Sequence, residues 1–97
     1  MASEKMPPLL AILYELRRHC EQSGIFWKAM RIRQSSTRKQ MLTDDWESEN
    51  LKIVALCDLL RIMAIPDEEM SRVISELETL RNSHCVVEAL LKDLKKS

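Results

Sequence analysis

Between Leu51 and Ile65 the chain places apolar side chains almost all the way round a helix, with only Lys52, Asp58 and Arg61 as polar interruptions. A helix at a surface needs a single apolar stripe. One coated on most sides is expected in the middle of a fold, with neighbours laid against several of its faces. Pro66 stops it, and a strictly amphipathic run follows to Leu80. In 97 residues this predicts an all-α bundle of four to five helices with 51–65 as a central buried post. The domain is expected to span 8–97, behind a flexible N-terminus at 1–7.

Composition narrows the class. The apolar share of 45% supports a folded core, and 15 basic against 15 acidic side chains give no whole-molecule field toward nucleic acid or an acidic membrane. The chain has one glycine, Gly24, too few for a phosphate-cradling loop. Three cysteines, Cys20, Cys57 and Cys85, are an odd number far apart on apolar helical faces. That usage suits a reducing compartment, so an intracellular protein, nuclear or cytoplasmic, is expected. No signal peptide is visible, and no apolar run approaches the roughly 20 residues that span a bilayer, so no membrane partner is expected.

Along the chain, Pro7-Pro8 suits a helix start. Leu9, Leu13, Leu16 and Cys20 then recur on one face, and Gly24 reads as the C-terminal stop. Residues 25–41 read as a shorter or irregular helix. Thr43, Asp44 and Asp45 supply N-caps for the next, with Asp44 and Glu47 at capping-box spacing. Asp67, Glu68 and Glu69 start a helix that buries Met70, Val73, Ile74, Leu77 and Leu80. Asn82-Ser83 is a break, with Ser83 as the cap of a last helix burying Val87, Leu90, Leu91 and Leu94.

Little of this spells chemistry. His19-Cys20, His84-Cys85 and Cys57 are candidate metal ligands, but adjacent residues on a helix point about 100° apart and lack the two-to-five-residue spacing that makes zinc ligands converge. No metal and no cofactor are expected. Cys85 beside His84 is not a nucleophile–base pair by chain adjacency, and the acids from Asp44 to Glu49 are better read as helix-start residues, so no enzyme is expected. Lys28, Arg31, Arg33, Arg38 and Lys39 form a basic segment with no acid between Glu21 and Asp44. It is suited to phosphates beside Phe26 and Trp27, or else to solvent. Ser35, Ser36 and Thr37 follow Arg31 and Arg33 as in basophilic kinase sites, and phosphorylation there would cancel much of the patch. Trp27 and Trp46 flank helix ends, as lids on the core or as anchors for a partner.

The run Cys57-Asp58-Leu59-Leu60-Arg61-Ile62-Met63-Ala64-Ile65-Pro66, followed by Thr79-Leu80-Arg81 and Val86 to Lys92, resembles the N-terminal domain of the transcription elongation factor TFIIS and the related integrase-binding domains. There a leucine-rich helix ends in an isoleucine-proline step before the next helix. The resemblance covers the second half of the chain, without the family's tryptophan in the final helix and with a longer segment between Asp67 and Leu80. It implies a nuclear bundle that grips short motifs of transcription or chromatin factors at its interhelical loops, which places Ile65, Arg81 and Val86 near the groove.

The function expected is therefore that of a non-catalytic adaptor or scaffold. It would bind a partner helix or linear motif through an apolar groove at Phe26, Trp27, Trp46, Ile65, Arg81 and Val86. A homodimer is compatible with the same surfaces. The alternative is a nucleic-acid-associated domain that uses segment 28–39.

Overall fold

The computed structural model describes residues 8–96, so the flexible N-terminus expected at 1–7 lies outside the described residues. There are four helices: α1 (Pro8–Met30), α2 (Ser36–Ile62), α3 (Asp67–Leu80) and α4 (Cys85–Lys96). Among the described residues there is no strand.

The first two helices are longer than the sequence suggests. Gly24 does not stop α1. Its backbone is not left-handed, and a helix-interior glycine costs only about 1 kcal/mol, which the apolar contacts of α1 outweigh. Nor do Thr43 to Asp45 begin α2. Ser35 is the cap, extended at φ −62° and ψ 155°, with its Oγ accepting the Arg38 N–H at 3.2 Å. Gln34 donates to the Ala29 carbonyl and so satisfies the end of α1. Residues 31–35 are thus the turn of a helical hairpin, and the irregular helix expected over 25–41 is divided between two regular ones. Thr43 and Asp44 lie inside α2, where the Thr43 hydroxyl donates to the Lys39 carbonyl at 2.8 Å and Gln40 donates to Asp44 at 3.0 Å.

α1 and α2 run antiparallel. They meet along a seam whose positions repeat every three or four residues: Leu13, Leu16, Cys20 and Ser23 against Ile53, Cys57 and Leu60. α3 adds Val73, Leu77 and Leu80, and α4 adds Val87, Leu90 and Leu91. α3 packs on α4 and α4 on α2, while α1 and α3 touch least. Asp67, Glu68 and Glu69 fill the first turn of α3 after Pro66, where negative charge suits the helix dipole. The cap of α4 is His84 and not Ser83: the His84 carbonyl accepts from Val87 and Glu88, and its Nδ1 accepts the Val86 N–H at 3.2 Å.

The central post is not found. Of the apolar coat on 51–65, Ile53, Cys57 and Leu60 are buried and Leu56, Met63 and Ile65 are half-buried. Leu51, Val54, Ala55, Leu59, Ile62 and Ala64 are exposed. α1 and α4 cover one side of α2, and nothing among the described residues covers the other. The core is also one-ended. No residue from 24 to 52 is buried, so the hairpin beyond Ser23 forms an arm that projects from a four-helix body.

Candidate interaction surface

On α2, Leu51, Ala55 and Leu59 recur every fourth residue, with Val54 and Ile62 beside them, on the side opposite Ile53, Cys57 and Leu60. Leu51 is 72% exposed, Ile62 81% and Leu59 40%. The nearby charges are neutralised within the chain: Lys52 pairs with Glu49 at 3.4 Å, and Arg61 with Asp58 at 3.1 Å and Asp93 at 2.9 Å. The result is a largely apolar strip about 17 Å long, crossed by Asp58, with this charge and those at the rim already paired.

A second feature lies where the arm leaves the body. Trp27 and Trp46 pack across the hairpin with ring centroids 5.2 Å apart and planes tilted by 36°. Beside them is a cleft of about 300 Å³, lined also by Ser23, Gly24, Ser83, His84 and Cys85. Gly24 opens its floor, since a Cβ there would meet nothing within 4 Å.

Under the tryptophans runs a polar layer. Asn50 Oδ1 accepts from Ser23 Oγ at 3.0 Å and from His84 Nε2 at 3.1 Å. Because His84 Nδ1 accepts the Val86 amide, its proton resides on Nε2, which fixes the neutral tautomer. Burial holds the His84 pKa below the ordinary imidazole value. One turn away, His19 Nδ1 meets Glu49. Burial of Glu49 raises its pKa, but His19 and Lys52 outweigh that, and the net value lies below the usual carboxylate range. Every buried side-chain polar atom in the described residues has a partner. Paired in this way, the layer fixes the register of the α1–α2 seam, as polar residues do in coiled coils.

Lys28, Arg31, Arg33, Arg38 and Lys39 are all exposed at the arm tip, together with Ser35, Ser36 and Thr37. Ser35 already serves as a helix cap. The cysteines do not converge: Cys20 and Cys57 are buried and Cys85 is exposed. Burial pushes the Cys20 thiol up to about 11 and the Cys57 thiol up to about 12, so neither is a ready nucleophile. Among the described residues no three His, Cys, Asp or Glu side chains are grouped to hold a metal ion, and no helix is long and apolar enough to cross a membrane.

The structure brings together Trp27 and Trp46 of the residues expected to bind a partner. Arg81 and Val86 flank the turn whose Ser83 and His84 line the cleft, with Arg81 exposed and Val86 packed on the core. Phe26 is half-buried and does not line the cleft. Ile65 packs on the core at the far end of α2. Sequence reasoning missed the outward strip and the polar layer. Asn50, three residues before Ile53 in the seam register, was the signal for the layer. No family model, curated protein or solved structure matches the chain.

Proposed function

We propose that the chain is a non-catalytic protein-interaction module whose α2 strip receives an amphipathic helix of a partner. The uncovered strip carries this reading: Leu51, Val54, Ala55, Leu59 and Ile62 are exposed on a helix whose other side already fills a core, and the one charge among them, Asp58, is paired with Arg61. Soluble monomers seldom leave such patches exposed without use. Its shape favours a helix, because a straight strip three turns long fits apolar side chains presented at i, i+3, i+4 and i+7. It is smaller than the roughly 800 Å² per partner of a standard interface, so one helix covers it. The Trp27–Trp46 cleft is a secondary anchor point. A setting in transcription or chromatin complexes, and with it a nuclear location, is supported by the resemblance of Cys57 to Pro66 alone.

The test is the double substitution Leu51→Asp/Ile62→Asp, with partners captured by the wild-type chain as probes. The helical circular dichroism should be kept and the captured helix lost. Retained capture by the folded double variant would remove the strip from the interaction. The alternative, nucleic-acid association through the tip, is supported by the five exposed cations. It predicts binding that weakens steeply with salt, whereas the strip predicts a flat response.

A further inference from the structure

Part of the body's charge is paired within the chain: Arg17 with Glu76, Arg18 with Glu15, Lys52 with Glu49, Arg61 with Asp58 and Asp93, and Lys95 with Glu78. At the arm tip, Lys28, Arg31, Arg33, Arg38 and Lys39 make no ion pair among the described residues. At the other end, neither do Asp67, Glu68 and Glu69 in the first turn of α3. Five of the fifteen basic residues lie at the tip, which leaves ten basic against fifteen acidic for the rest of the chain. Within a neutral total the tip is a positive end and the first turn of α3 a negative one. Its ends are separated by the length of α1, about 34 Å, far beyond the screening length of about 8 Å, so each end acts separately.

Each end also carries matching apolar chemistry. At the tip, Ile32 is 67% exposed between Arg31 and Arg33. Its place is fixed by the Gln34 and Ser35 bonds that close the turn. At the base, Pro8, Leu9, Leu10, Met63 and Pro66 line a groove of about 420 Å³ with Glu69 and Arg72 at its edge. Asp67 and Glu68 adjoin it in sequence. A knob with cations on both sides faces outward at one end, and at the other an apolar groove with Glu69 and Arg72 at its edge and two further acids before Glu69 in sequence. Phosphate binding would use the cations but leave Ile32 in water and the groove empty. A second copy of the chain would fill the groove with Ile32 and set its cations against the three acids.

We propose that the chain assembles head to tail, with Ile32 and the basic tip of one copy seated in the acidic-edged base groove of the next. The contact is heterologous, so it repeats and builds open chains unless the rotation closes a ring.

Sedimentation velocity of the full chain over a concentration series, at low and at high salt, tests this. The average mass should rise above the monomer's 11.3 kDa with concentration at low salt, and fall back toward it at high salt. Arg31→Glu/Arg33→Glu/Lys39→Glu turns the tip from five positive charges to a net of one negative and gives a chain acidic at both ends, and Glu68→Lys/Glu69→Lys reverses the acidic base. Each should be monomeric alone with helical circular dichroism intact, and an equimolar mixture should assemble again, since each tip now meets a base of opposite sign. Recovery on mixing excludes misfolding as the cause of the loss. Four results would overturn the proposal: a monomeric wild-type chain at every concentration, assembly indifferent to both charge variants, assembly abolished only by Leu51→Asp/Ile62→Asp, or a monomeric chain whose tip binds an oligonucleotide.

Discussion

Gly24 occupies a helical position that asks nothing of a glycine. Its backbone is not left-handed and no neighbour approaches its missing Cβ. Gly24→Ala should therefore stabilise the chain by about 0.5–1 kcal/mol, an increase of a few degrees in Tm for a domain of this size. A loss of stability in a thermal melt would mean that the space left by the missing Cβ is filled in the native protein. His84 gives a pH dependence whose sign follows from its burial. The folded state resists protonation that the unfolded chain accepts near the ordinary value of 6.5. Stability should be full above that pH and decline as pH falls from there through the lower folded pKa, where the Nδ1–Val86 bond is lost. Asparagine at this position keeps a cap acceptor without a titrating ring, so His84→Asn should flatten that part of the Tm–pH curve. Equal slopes in the two proteins would remove His84 as the origin. Cys85 alone of the three thiols is exposed, so a thiol reagent should label one cysteine per native chain and all three in denaturant. Native labelling of Cys57 would show that the seam opens.

At the scale of elements, α3 and α4 were legible because each has a single narrow stripe and a clear boundary, Pro66 before one and Asn82-Ser83 before the other. The hairpin was not. Asp44 and Glu47 have capping-box spacing, but spacing alone does not distinguish a helix start from the surface of a long helix. The actual cap, Ser35, was hidden in a polar stretch that reads equally well as linker. The reading of 51–65 failed for a different reason. An apolar coat does not by itself say which of its faces the rest of the chain covers: Ile53, Cys57 and Leu60 are covered, and Leu51, Leu59 and Ile62 are not. For the candidate site, Trp27 and Trp46 were visible by residue type, whereas the strip was mistaken for core. Substitutions on the two sides of α2 separate these roles. Leu60→Asp places an unpaired carboxylate in full burial, at a cost of several kcal/mol, and should unfold a domain whose whole stability is about 5–15 kcal/mol. Ile62→Asp, two residues on and 81% exposed, should change stability by no more than about 0.5 kcal/mol. Comparable losses in urea titrations of the two variants would mean that the outer strip is covered in the native state.

The whole molecule combines a packed body with an arm that has no core of its own. All buried side chains belong to α1 up to Ser23, to α2 from Ile53 onward, and to α3 and α4. Beyond the polar layer of Ser23, Glu49 and Asn50, the two sides of the hairpin are joined by the Trp27–Trp46 contact and the Gln34–Ala29 bond, and the Ser35 cap only orders the start of α2. Cooperative unfolding requires that each part lose its support when another opens, and the arm gives the body little to lose. Separation of the rings exposes aromatic surface worth a few kcal/mol at most, less than the stability of a core that draws on all four helices. Arm opening should therefore precede global unfolding. Both tryptophans in the chain are in this one contact, so intrinsic fluorescence reports on the arm while far-ultraviolet circular dichroism reports mainly on total helix. In a urea titration the fluorescence midpoint should come first, and amides of 36–48 should exchange with solvent faster than those of 53–60. Trp46→Ala should enlarge the gap in exchange by freeing the arm further, without shifting the dichroism midpoint by more than the loss of its few helical residues. Superimposable fluorescence and dichroism curves, with uniform amide protection along α2, would show that the arm and body unfold as one unit.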